Sequence, residues 1–187
     1  MAFQERQARE MLVSRRDDLA NDPDSPVVGN PDGDVVIVEF FDYRCPYCVR
    51  VAEGLRETVE DDGNIRLVMK EFPILGPESM LASRMALAAV QQDKYEDLHW
   101  ALMEVSSGLN EETAFRVAEQ VGLDIDQLRR DMEAPEIDEM LQRNYDLAQA
   151  LQVNGTPAFV VGDEIVRGAL DMRSLRQIVA RTRAGAS

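Results

Sequence analysis

The sequence predicts an α/β fold built from a strand–helix–strand unit, a long helical block, and a closing hairpin followed by one helix. Three observations carry it. Residues 35–41, VVIVEFF, are a β-branched and aromatic run with the pattern of a parallel strand covered on both faces. From Pro77 to about Leu151 the apolar residues recur at spacings of three and four, the helical period. In PAFVVGDEIVRG, Gly162 and Asp163 separate Phe159-Val160-Val161 from Glu164-Ile165-Val166, a hairpin signal.

Taken in order, residues 3–20 read as a helix with Phe3, Ala8, Met11, Leu12 and Leu19 loosely on one side. That thin stripe suits either packing on its own domain or a dimerisation arm, so a homodimer is a candidate state. NDPDSPVVGNPDGD, 21–34, is dense in turn formers and reads as a solvated connection. A calcium loop is disfavoured, because no Glu stands twelfth from Asp22 or Asn30. After the first strand, helical spacing runs from Cys45 or Pro46 through Val51, Leu55 and Val59 to a stop at Gly63. IRLVMKEF, 65–72, is the second strand, and the connection is expected to be a right-handed crossover. Within the helical block the predicted helices are 80–91, 95–105, 111–121, 125–132 and 136–151, punctuated by Gly108, Gly122 and Pro135. In the last helix Asp171 is the candidate N-cap, and Met172, Leu175, Ile178 and Val179 share a face.

Composition narrows the function. Thirty-five acidic against twenty basic side chains give a formal charge of −15, which repels phosphate backbones and anionic membrane surfaces. Nucleic acid is excluded as a partner on that ground. No apolar run approaches the roughly 20 residues needed to span a bilayer. MAFQERQAREMLVSRR is too charged for the apolar core of a signal peptide, so a soluble chain is expected, with any export signal either removed or never present.

The two cysteines, Cys45 and Cys48, flank Pro46 and Tyr47. A bridge across so short a loop stabilises little by the chain-entropy account, which argues against a staple. Zinc needs three or four ligands, and the one histidine, His99, lies far away in a helical pattern, so no metal is expected. His99 reads as a helix residue rather than a catalytic base, which also disfavours a Ser/His/Asp hydrolase. A redox pair remains. If Cys45 opens the helix, Cys48 lies one turn on along the same face, within reach of a disulfide. Pro46 then takes the first helical position, where its missing N–H costs nothing. The free N–H groups and the helix dipole favour a thiolate at Cys45. Cys45 is therefore the expected exposed nucleophile and Cys48 the more buried resolving thiol. Arg44 adds positive charge beside it, and Asp42 opposes.

Three stretches, VVIVEFFDYRCPYC, KEFPILGP and NGTPAFVVGDEIVRGA, together resemble the DsbA-like thiol:disulfide oxidoreductases over residues 26–183. The resemblance implies a thioredoxin fold with an inserted helical domain and an extra N-terminal helix. The implied division is 1–25 for the N-terminal helix and linker, 26–75 and 151–187 for the thioredoxin core, and 76–150 for the insertion. It implies catalytic residues Cys45, Cys48, Glu39 and Pro157, with Pro157 in a cis bond after Thr156. Substrate would meet Pro46, Tyr47, Thr156 and Pro157. Glu39, an acid inside an apolar strand, would move protons to or from Cys48, or else form a structural pair with Lys70.

No cofactor is implied. The implied partners are extracytoplasmic proteins with cysteines and a redox partner, often in the membrane, that resets the pair. Localisation would be periplasmic or otherwise extracytoplasmic, since disulfide chemistry needs an oxidising compartment. Pro-Tyr stands where strongly oxidising members have Pro-His, which removes an imidazolium near Cys45. Two other functions fit the same residues: a disulfide isomerase or reductase, and a thioredoxin-fold chaperone or binding module with dispensable cysteines.

Overall fold

The computed structural model describes residues 2–186, with side chains from residue 6 onward. Phe3 falls outside the described side chains. The N-terminal helical region divides into α1 (Ala2–Ser14) and α2 (Arg16–Ala20). After it come β1 (Val27–Gly29), β2 (Val35–Phe41), α3 (Pro46–Asp62) and β3 (Ile65–Glu71). The helical block is α4 (Pro77–Ala89), α5 (Tyr95–Glu104), α6 (Glu111–Gln120), α7 (Ile125–Asp131) and α8 (Pro135–Ala150). β4 (Ala158–Val161), β5 (Glu164–Arg167) and α9 (Met172–Gly185) close the chain. Each predicted helix of the block is present within a few residues of its expected ends.

The sheet runs β1-β3-β2-β4-β5, with β2 and β3 parallel and the other pairs antiparallel. β2 is its central strand, which explains why its side chains are almost all buried. The loop reading of residues 21–34 is corrected in one place: Val27–Gly29 pair with Arg66–Val68 as a short edge strand.

Alternation along β2 and β3 separates two apolar clusters, one per sheet face. Ile37, Phe41, Leu67 and Met69 join α3, α9 and the helical block. Val38, Phe40, Val68 and Val160 join Leu12 and Leu19 of α1 and α2 and the end of α8. The apolar stripe of the N-terminal helices therefore packs on the sheet of its own chain, which favours the intramolecular use over a dimerisation arm. α3 stops where Gly63 adopts φ +69° and donates its N–H to Val59, a left-handed cap that glycine takes without steric cost. No described helix is long and apolar enough to cross a membrane.

Candidate functional site

The site begins where β2 ends. Asp42, fully buried, gathers four donors on its carboxylate: Arg44 N–H at 2.7 Å, Ser79 Oγ–H at 2.7 Å, Ile74 N–H at 2.8 Å and Leu75 N–H at 3.0 Å. It ties the turn before Cys45 to the loop between β3 and α4. The Arg44 guanidinium bonds Glu78, at 3.0 Å, and the Leu75 carbonyl. Neither charge flanking Cys45 makes a hydrogen bond to its thiol.

Cys45 is the N-cap of α3, with extended backbone, and Pro46 fills the first helical position. Its Sγ accepts from Cys48 N–H at 3.4 Å and donates to the Thr156 carbonyl at 3.3 Å. The thiol falls from its usual range to about 5, chiefly because the Cys48 thiol hydrogen-bonds to it, with N–H groups of the first turn adding to the effect and burial opposing. Cys48 is raised far above the usual range by that same hydrogen bond, by burial and by the charge of Glu39. Both cysteines are free. Both thiols are buried, Cys48 at 0% and Cys45 at 4% exposure, so the expectation of an exposed nucleophile at Cys45 is corrected. The Thr156 loop covers it. The Thr156-Pro157 bond is cis. Pro46 and Tyr47 are exposed, and the Arg50 guanidinium lies 5.2 Å from the Tyr47 ring centre.

Glu39 is 2% exposed, and its side chain makes no hydrogen bond or ion pair among the described residues. Burial, then Glu71, then Cys45 push its carboxyl up to about 8. The expected pair with Lys70 does not form. In the parallel register Lys70 stands opposite Phe40, whereas Glu39 stands opposite Met69, so the two side chains leave opposite faces of the sheet. Lys70 Nζ donates instead to the Asp18 carbonyl at 2.7 Å, to Ser25 Oγ at 2.7 Å and to Asp22 at 3.0 Å.

A third buried acid was not singled out from the sequence. Glu71, at the end of β3, accepts from Tyr43 OH at 3.0 Å and Tyr95 OH at 2.9 Å on one oxygen, and from Ser83 Oγ at 2.7 Å on the other. His99 Nδ1 lies 2.9 Å from Tyr43 OH, and burial holds that imidazole down to about 3. His99 is thus a neutral residue of α5, as its helical spacing suggests. A charged residue closing an apolar strand was the available signal for Glu71; its hydroxyl partners lie on other elements.

A DSBA-like thioredoxin domain model matches residues 36–180. A thioredoxin-like oxidoreductase structure from Silicibacter pomeroyi is 51% identical, with TM-score 0.86, over 90% of this chain and 98% of that one. The probable disulfide bond formation protein D of Bacillus anthracis is 29% identical over 77% of this chain and 72% of its own length. The Na(+)/H(+) antiporter NhaA 3 of Salinispora tropica is 29% identical over 84% of this chain, which spans only 25% of that protein. With a family model covering most of its length and the Cys-Pro-Tyr-Cys turn opening α3, the chain belongs to the DsbA-like thiol:disulfide oxidoreductases of the thioredoxin fold.

Proposed function

We propose that the chain donates disulfides to exported proteins through the Cys45–Cys48 pair. One observation carries this direction: in the reduced state Cys45 Sγ receives the Cys48 hydrogen bonds at a helix start, which stabilises its thiolate. Whatever stabilises the reduced form makes the disulfide a stronger oxidant.

In that direction a substrate thiolate attacks Cys45 Sγ of the oxidised pair. The intramolecular S–S bond breaks, its electron pair leaves on Cys48, and Glu39 supplies the proton that the buried Cys48 takes up. A second substrate thiolate then attacks the substrate sulfur of the mixed disulfide and expels Cys45 as a thiolate. The substrate loses two electrons and the pair gains them. Exposed Pro46 and Tyr47 and the Thr156-Pro157 loop supply the docking surface beside Cys45, with backbone at Thr156 available to an extended peptide. A thiol:disulfide redox partner outside the cytoplasm, in the family often membrane-bound, reoxidises the pair. The working compartment is the periplasm or its equivalent, where disulfides persist.

Equilibration of the pair with glutathione tests the direction. We expect a reduction potential above about −200 mV, near or beyond the poise of oxidising compartments. A lower value would assign the chain to disulfide reduction or isomerisation.

A further inference from the structure

Glu71 is not used by the exchange reaction described above, yet it is held far more elaborately than Glu39, the other buried glutamate on its sheet face. It is fully buried, it closes β3, and its register partner Phe41 puts it on the sheet face that carries Glu39. Glu39 and Glu71 are therefore diagonal neighbours on adjacent parallel strands, roughly 7–8 Å apart. Their surroundings differ. Glu71 receives three hydroxyl donors from three places: Tyr43 of the active-site turn, Ser83 of α4 and Tyr95 of α5. Glu39 receives none among the described residues. The other groups facing the pair are Asp42, the two thiols and His99, which burial keeps neutral, so no cation among them offsets a second charge.

Two like charges at that spacing in a dry interior do not ionise independently. Both carboxyls stand raised to about 8: Glu39 by burial and then by the charge of Glu71, and Glu71 by burial, which its three hydroxyl donors offset only in part. All three can donate at once only to the carboxylate, with His99 Nδ1–H donating in turn to the Tyr43 oxygen. A protonated Glu71 would have to turn one hydroxyl around.

We propose that Glu71 is the charge-holding partner of Glu39: the two acids share their first negative charge, the hydroxyl cage assigns it to Glu71, and Glu39 stays protonated for exchange with Cys48. The last clause rests on the reading of Glu39 given above. Glu71 is thus a positioning residue, which acts on the thiols through Glu39. Because its cage includes side chains of α4 and α5, the packing of the helical block feeds into the proton chemistry at Cys48.

The test is carbon-13 NMR of the glutamate carboxyls in the reduced full chain, titrated from acid to alkaline pH, with rates over the same range for mixed-disulfide resolution by Cys48, the reverse of the step in which it leaves. In Glu71→Gln the Glu39 midpoint should fall by about one to two pH units, the Coulomb effect of a unit charge at this distance. In Glu39→Gln the Glu71 midpoint should stay near its wild-type value, because Glu71 ionises while Glu39 is still protonated and neutral. The pH midpoint of resolution should follow Glu39. An unmoved Glu39 midpoint in Glu71→Gln would overturn the proposal. A moved Glu39 midpoint with an unmoved rate profile would leave charge sharing intact and remove Glu39 as the proton partner of Cys48. Should Glu71→Gln not fold, Tyr95→Phe keeps both acids and removes one donor; the Glu71 midpoint should then rise and that of Glu39 fall. Failure of Glu39 to move in that variant overturns the proposal equally.

Discussion

Cys45 Sγ lies 3.3 Å from the carbonyl oxygen of Thr156, so the start of α3 and the loop before β4 meet at the proposed nucleophile. A carbonyl can only accept, and this contact favours the thiol; the donors from Cys48, together with the Thr156 side chain, favour the thiolate. The donors prevail, with the thiol drawn down to about 5. The first prediction concerns alkylation of the reduced protein with a small iodoacetamide reagent. Its rate should rise with a midpoint near pH 5, and labelling should fall on Cys45, with Cys48 unlabelled until the chain unfolds. Preferential labelling of Cys48 would reverse the roles of the two thiols.

The same shift has a stability consequence. A thiol whose folded value is lowered stabilises the fold above its unfolded value and loses that contribution as pH falls through the folded one. Reduced protein should therefore be more stable than Cys45→Ser by a margin that grows from about pH 5 toward pH 9. Thermal unfolding of both across that range is the measurement, and a margin independent of pH would contradict the stabilised thiolate.

Glu39 has the opposite sign. Its folded value, about 8, lies above the ordinary 4.5, so the folded state holds a proton that the unfolded state has released, and stability declines as pH rises between those values. Glu39→Gln should abolish that decline and gain on the order of 1–4 kcal/mol over wild type above pH 8. It should also slow exchange at Cys48. A destabilised variant with normal exchange kinetics would make Glu39 a structural residue only.

Lys70 separates the two sheet faces experimentally. Lys70→Met leaves Asp22, Ser25 and the Asp18 carbonyl without their shared donor. A loss of about 1–3 kcal/mol is expected, typical of buried polar groups left unmatched. The pH profile of Cys45 alkylation should not move, because the sheet stands between the two sites. A displaced profile would show that the lysine reaches the thiols after all.

How legible the site was in the sequence follows from the range of the signals. The Cys-Pro-Tyr-Cys turn is local: Pro46 and the helical spacing behind it place Cys45 at a helix start without knowledge of the rest of the fold. The Glu39–Lys70 pairing failed because it needed the strand register, and a shift of one residue between β2 and β3 turns a side chain to the other face. β1 was missed because three residues among turn formers carry no period, and only β3 gives them a partner. The Glu71 cage draws on Tyr43, Ser83 and Tyr95, a turn and two helices whose juxtaposition no short window encodes.

The final prediction concerns the covalent intermediate, and it separates an oxidoreductase from a binding module. Cys48 N–H already contacts Cys45 Sγ at 3.4 Å, so the second thiol stands one turn from the sulfur that joins a substrate. Its attack is effectively intramolecular, and mixed disulfides should be short-lived in wild type. Cys48→Ala removes the attacking thiol while leaving the backbone N–H, Pro46 and the Thr156 loop in place. The Cys45 thiolate of the variant attacks a client disulfide and releases the client's other sulfur as a thiolate, so reducible adducts with several disulfide-bearing exported proteins should accumulate, visible as high-mass bands that vanish with dithiothreitol. Replacing Tyr47, which is exposed beside Cys45, with Ala should lower the yield of adducts without blocking alkylation of Cys45. A binding module predicts client association that survives replacement of both cysteines and no covalent adducts from Cys48→Ala. That second pattern would remove disulfide exchange from this chain's function, because a thiol that never bonds to a client cannot pass electrons to or from it.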